Sequence, residues 1–198
     1  NLIAIDRDPI TNIFARDLIK KFKNFKLING CFGKIDQLVK SNLIDDEIKF
    51  DLIIFDLGLS SNQLNNPKRG FSFKNDGPLN MNMGSSKILA SDIINKFSEK
   101  DLSNIFFDLG EEKYAKRIAK KIVSSRKYKS IQGTKELSNL IHDVIPFSAS
   151  KKSKINPATK SFQALRIFVN DEMNELKSAL NKSKDLLKIN GKLIVVSF

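Results

Sequence analysis

Phe50-Asp-Leu-Ile-Ile-Phe-Asp56 is a short apolar run that closes on a carboxylate and is followed by Gly58. Its length and its β-branched and aromatic content read as a strand buried in the middle of a parallel sheet. Working outward from it, the chain before it repeats the same grammar. Leu2–Asp6 is a second apolar run ending in a carboxylate, and Asp8-Pro9 then supplies an N-cap and a first-turn proline for a helix running to about Lys23. Phe25–Asn29 is another short strand, closed by Asn29-Gly30, and Ile35–Ser41 reads as a short helix. Beyond Leu64 the texture changes to turn clusters, Asn65-Asn66-Pro67 and Asn75-Asp76-Gly77-Pro78, with Arg69-Gly70-Phe71-Ser72-Phe73 between them. Helical periodicity follows near Ala90–Lys96, Glu99–Ser124 and Thr134–Val144, then a polar, basic link at Ser148–Lys154. Ser161–Leu187 reads as one more helix, stopped by Asn190-Gly191, and Lys192–Phe198 as a last strand. Strand–helix alternation, then a helical block, then helix–strand predicts an α/β fold: a doubly wound sheet interrupted by an inserted helical domain. The expected boundaries are 1–63 for the first part of the sheet domain, 64–160 for the insertion and 161–198 for the second part. Because the chain opens on Asn-Leu-Ile-Ala-Ile and closes on Lys-Leu-Ile-Val-Val-Ser-Phe, it reads as a piece cut through strands at both ends.

Charge follows the same division. The 198 residues carry a net charge of +12. Residues 64–160 hold 19 basic and 9 acidic side chains, against 15 and 13 in the remainder, so the excess is regional and not a uniform coding bias. A basic block joined to a near-neutral one is the sequence signature of a polyanion-binding surface. Other classes drop out. One Cys (Cys31) and one His (His142) are too few for a Cys/His zinc site or a disulfide framework. No apolar run approaches the roughly 20 residues of a membrane span. The reading is a protein of a reducing compartment, without metal.

In open parallel sheets, ligands sit beyond the carboxyl ends of the strands, where Asp6 and Asp56 fall. An ionised carboxylate is acceptor-only and suits the two hydroxyls of an adenosine ribose, whether the ligand is NAD or S-adenosylmethionine; equally, an acidic strand end caps the helix that follows. Phe32 offers a ring for a base to stack on, or is one of 15 phenylalanines filling a core. The loop Asp56-Leu-Gly-Leu-Ser-Ser-Asn-Gln63 gathers a carboxylate, hydroxyls and an amide without an evident nucleophile. Cys31 lacks the preceding proline usual in cytosine-C5 methyltransferases, and His142 falls on a predicted surface helix.

Several motifs occur in one order along nearly the whole chain: Ala4-Ile-Asp-Arg-Asp-Pro9, Asp56-Leu-Gly-Leu-Ser-Ser61 with Gln63, Arg69-Gly-Phe-Ser-Phe73, Asp76-Gly-Pro-Leu79, Gly110-Glu-Glu112, Pro157-Ala-Thr-Lys-Ser-Phe-Gln-Ala-Leu-Arg-Ile167 and Val169-Asn-Asp-Glu172. This ordered set resembles the RsmH (MraW) family of S-adenosylmethionine-dependent 16S rRNA cytosine-N4 methyltransferases. The resemblance implies a Rossmann-like class I methyltransferase sheet whose helical insertion recognises rRNA, acting in the cytoplasm on the small (30S) ribosomal subunit. It implies Asp6 on the cofactor ribose, Phe32 against the adenine, and Asp56 and Gln63 completing the S-adenosylmethionine pocket. Lys68, Arg69 and Lys160 are implied to face RNA phosphates; no catalytic residue is assigned, and homodimerisation is left open. The family's cofactor glycine loop and a His-Ser-Leu-Glu-Asp stretch are absent from the chain. Leu79-Asn-Met-Asn-Met83 carries neutral amides where the family usually has Asp and Arg. Two rival readings remain: a non-catalytic RNA-binding or ribosome-assembly protein on the same fold, and a NAD-dependent oxidoreductase.

Overall fold

The computed structural model describes residues 1–43, 48–84, 86–146 and 156–197, so the predicted link at Ser148–Lys154 lies outside the described residues. Strands β1 (Leu2–Asp6), β2 (Phe25–Asn29) and β3 (Phe50–Asp56) form where the apolar runs placed them. β1 and β2 pair in parallel from Leu2↔Phe25 to Asp6↔Asn29. β3 pairs in parallel with β4 (Leu187–Val196). Among the described residues the strands form two parallel pairs, β1–β2 and β3–β4, so the fold is mixed α/β with parallel strands. The chain folds as two compact units.

The first unit takes in Asn1–Gly58, Met83–Ser85 and Asp171–Phe198. Its helices are α1 (Thr11–Lys21), α2 (Ile35–Asn42) and α9 (Glu172–Leu186). Helix α1 starts two residues later than Asp8-Pro9 predicts, because Asp8 spends its carboxylate on the Ile10 N–H (3.2 Å), closing a turn ahead of the helix. Its apolar core joins Ile53 and Phe55 of β3 to Ile35 and Val39 of α2 and Ala179 of α9. Burial of these side chains supplies the main stabilisation here, roughly 1.5–3 kcal/mol for each large one. The outer face of β3 differs from the expectation of a fully enclosed strand: Leu52 and Ile54 are about half exposed (45% and 54%). Among the described residues one face of β3 is covered by α2 and α9, so burial alternates along the strand. The predicted turn at Asn190-Gly191 does not precede the last strand but lies inside β4, where Asn190 takes φ +66° and the register with β3 shifts.

The second unit takes in Leu59–Asn82 and Ser86–Asn170. It contains α3 (Ser61–Asn65), α4 (Ala90–Lys96), α5 (Glu99–Gly110), α6 (Ala115–Arg126), α7 (Thr134–His142) and α8 (Thr159–Asn170). Leu102 and Phe106 of α5, Ile118 and Ile122 of α6, Leu137 and Ile141 of α7 and Leu165 of α8 are fully buried. The single helix predicted over Glu99–Ser124 is two. Gly110 ends α5 against α8, where a Cβ would stand 2.5 Å from the Lys160 carbonyl oxygen, and Glu111 turns the chain at φ +50°. The predicted Ser161–Leu187 helix is likewise broken, at Asp171 with φ +51°. Asn170, buried at the end of α8, donates to the Met81 carbonyl (2.8 Å), and that tertiary bond holds the helix end in place.

Candidate cofactor site and basic surface

In the first unit β1 and β3 each end on a carboxylate, Asp6 and Asp56, and Phe32 follows three residues after the end of β2. Asp6 ends β1 half-buried, and its Oδ1 accepts the Asp8 N–H at 2.8 Å. Its second oxygen has no hydrogen-bond donor among the described residues. Burial raises the Asp6 pKa above the ordinary carboxylate value, and the Asp8 amide offsets only part of that. Gly30 N–H donates to the Asp6 carbonyl (3.0 Å), which joins the ends of β1 and β2 and brings the turn carrying Phe32 beside them. Phe32 lies on Phe55, ring centroids 5.6 Å apart, and Asp56 follows directly, exposed at the end of β3. Ile5, Phe32 and Phe55 belong to the same apolar cluster. The structure therefore gathers Asp6, Phe32 and Asp56 on one unit around a shared core. Gln63 belongs to the second unit, where its Oε1 accepts the Ser60 N–H (3.0 Å) and its own N–H donates to Ser60 Oγ (3.2 Å), a reciprocal cap on α3.

One feature escaped the sequence reading. Glu175, Ser178 and Lys182 converge from α9 on the backbone of a single residue, Gly33. Glu175 Oε2 accepts the Gly33 N–H, while Ser178 Oγ and Lys182 Nζ both donate to the Gly33 carbonyl, each at 2.8 Å. Lys182 also pairs with Asp36 at 2.8 Å. Burial would raise the Asp36 pKa, but the Lys182 ammonium and the Gln37 amide bring it below its ordinary value. Gly33 adjoins Phe32, so α9 fixes the turn that presents the ring. The i, i+3, i+7 spacing put the three side chains on one helical face, and that signal was present in the sequence.

In the second unit, Lys68 and Lys160 are exposed, and Lys160 Nζ reaches the Glu111 carbonyl at 3.1 Å. Arg69 is half-buried: it donates to the Asn82 carbonyl (2.8 Å) and lies over the Phe71 ring at 5.6 Å. Asn80 and Asn82 close the neighbouring loop, Asn80 Oδ1 accepting the Asn82 N–H (2.9 Å) and Asn82 Nδ2 donating to the Ser86 carbonyl (2.7 Å). His142 bonds Asn156 at 3.1 Å on the surface. Among the described residues there is no cluster of His, Cys, Asp or Glu suited to a metal, and no helix long and apolar enough to cross a membrane.

The MraW methylase family matches the chain over residues 1–198, end to end. The chain belongs to the MraW methylase family. The ribosomal RNA small subunit methyltransferase H of Caldicellulosiruptor saccharolyticus is 46% identical over 198 residues, covering 100% of this chain and 62% of the relative. Proteins of the same name from Rickettsia bellii and from Wolbachia sp. subsp. Drosophila simulans are 43% and 44% identical, over 98% of this chain and 61% and 65% of their own lengths. The chain thus spans a little over three fifths of these relatives. Membership of a methylase family implies a methyl donor of the S-adenosylmethionine type. A half-buried acceptor at a strand end, a ring on a fixed turn and a second carboxylate suit such a donor's ribose and base.

Proposed function

We propose that the protein transfers a methyl group from S-adenosylmethionine to the exocyclic N4 amine of a decoding-centre cytosine in 16S rRNA of the 30S subunit, in the cytoplasm. The observation that carries this reading is family membership over the whole chain, with Asp6 and Asp56 at two strand ends and Phe32 on the turn after a third strand, all beside one core. In this reading residues 1–63 and 161–198 form the methyltransferase domain, and 64–160 is the insertion that meets RNA through Lys68, Arg69 and Lys160. Asp6 would accept the ribose hydroxyls, Phe32 would pack on the adenine, and Asp56 and Gln63 would complete the pocket.

When bound, the cofactor supplies a methyl group already activated on a sulfonium, so the chain needs no nucleophile of its own, consistent with the place of Cys31 in a turn. A cytosine amine is a weak nucleophile because its lone pair is delocalised into the ring. What the protein contributes is placement: it holds the base, splayed from its stack, in reach of the donor and offers acceptors for the amine protons. The loop from Asp56 to Ser61 supplies such acceptors.

The test uses the full-length protein, labelled S-adenosylmethionine and small subunits lacking the modification, with digestion of the rRNA and mass spectrometry. N4-methylcytidine that disappears with Asp56→Ala supports the reading. Subunit and cofactor binding without any methylated cytidine would favour the non-catalytic alternative.

A further inference from the structure

Residues 113–129 carry eight basic side chains and no acidic one. Helix α6 sorts them. Ala115, Ile118, Ala119 and Ile122 are buried, so the opposite face presents Lys116, Lys120 and, continuing the helical turn, Lys127 to solvent. These three lie along a line about 16 Å long at 1.5 Å per residue. Among the described residues none of them, nor Lys129, meets a carboxylate; the ion pair on this helix is Lys121–Asp143 at 3.1 Å, on its flank. Of the two acids that precede the helix, Glu112 is buried and accepts the Tyr114 N–H (2.8 Å), leaving Glu111 as the nearby exposed carboxylate. At the far end Tyr128, between Lys127 and Lys129, is 94% exposed. Tyrosine is ordinarily half-buried, because its ring is apolar and only its hydroxyl wants water. A ring held wholly in solvent among cations has the composition of a stacking platform beside a phosphate track.

We propose that this face of α6, ending on Tyr128, docks an unpaired stretch of RNA, with phosphates along Lys116, Lys120 and Lys127 and a base stacked on the Tyr128 ring. The inference rests on the RNA-methylating reading above and locates a docking surface for its substrate, apart from Lys68, Arg69 and Lys160. An anionic membrane is the poorer occupant. A helix that lies in a bilayer surface needs its apolar face free, and that of α6 is spent on the core. Duplex RNA could meet the lysines, but its bases are already stacked and leave the tyrosine without a role.

Fluorescence anisotropy of the full-length protein with a labelled unstructured single-stranded RNA tests this, with the matching duplex and phosphatidylglycerol vesicles in parallel. Replacing Lys116, Lys120 and Lys127 together by Gln should lower the slope of log affinity against log salt by about 2, at about 0.7 per single-strand phosphate contact. A control with the same charge change, Lys20→Gln with Lys23→Gln and Lys40→Gln in the first unit, should leave the slope unchanged. Tyr128→Ala should weaken single-strand binding about tenfold and duplex binding little, and Tyr128→Phe should restore it. All four positions are exposed, so folding is retained and circular dichroism checks it. Equal loss in the control, an unaltered slope in the triple variant, or an indifferent Tyr128→Ala would overturn the proposal, as would vesicle binding that the triple variant abolishes while RNA binding persists. Methylation of subunits by variants that bind RNA like wild type would reject this surface and keep the methyltransferase reading. RNA binding through this surface without methyl transfer would do the reverse.

Discussion

Replacing Gly33 by Ala tests whether α9 sets the turn that carries Phe32. A Cβ at this position would lie 2.4 Å from Glu175 Oε2, 3.0 Å from its Cδ and 3.1 Å from its Cα. The carboxylate can swing aside; the helix backbone behind it cannot. Swinging breaks the 2.8 Å bond from the Gly33 N–H, a bond to a charged group worth about 1.5–3 kcal/mol. Against that stands a gain of about 0.4–1 kcal/mol, because Ala restricts the unfolded chain more than Gly. The net expectation is a loss of about 1–2 kcal/mol, before any cost of moving Phe32 off Phe55. Glu175→Gln keeps an acceptor but not the charge, and charge-assisted bonds are about twice as strong as neutral ones, so it should lose about half as much as removing the bond altogether. Urea denaturation should place wild type above Glu175→Gln and Glu175→Gln above Gly33→Ala. Calorimetric titration with S-adenosylmethionine, well below the unfolding transition, should give the same order of affinity. A Gly33→Ala protein with an unshifted urea midpoint would refute the packing argument. One with a lowered midpoint and unaltered cofactor affinity would refute the link from α9 through Gly33 to the ring.

The raised pKa of Asp6 gives a pH signature. A folded-state pKa above the unfolded one favours the folded protein at low pH, and that contribution is lost as pH rises through the folded value. Cofactor affinity should move the opposite way, rising over the same window as the carboxylate ionises, and Asp6→Asn should lower the affinity and flatten both profiles in calorimetry and denaturation. Glu111 is exposed and holds φ +50° at the end of α5. Glu111→Gly should therefore raise stability by about 0.5–1 kcal/mol, read as an increased melting temperature. Asn170→Leu should cost about 1–3 kcal/mol in urea denaturation, because the Met81 carbonyl that accepts from Asn170 would be left buried without that donor.

The first three strands were legible because each is a short apolar run punctuated by a carboxylate or Asn-Gly, and local sequence suffices for that. Asp6 and Asp56 were legible as strand ends for the same reason. What the pattern could not show is where a periodic stretch breaks. From Glu99 onward the helical period continues past Gly110, and the break is set by the close approach of the Lys160 carbonyl, a neighbour about 50 residues away. At Asp171 the apolar spacing again runs through unbroken, and the bond from Asn170 to Met81 decides the helix end. Gln63 shows a subtler gap. The resemblance marks it for the cofactor, and with Ser60 three residues before it the same residue makes a capping box, which the structure shows formed.

The same distinction explains why the α9 clamp went unread. Glu175, Ser178 and Lys182 have helical spacing, but a polar stripe on a helix ordinarily faces water, and only its partner tells otherwise. That partner is a backbone, Gly33, whose sequence carries no sign of what will bond it. Side chains that act on other side chains leave complementary marks at both positions; those that hold a peptide unit leave a mark at one, plus a glycine where the approach is close. The turn that carries Phe32 is thus legible in the local sequence, while the geometry that places its ring depends on a helix 142 residues later in the chain.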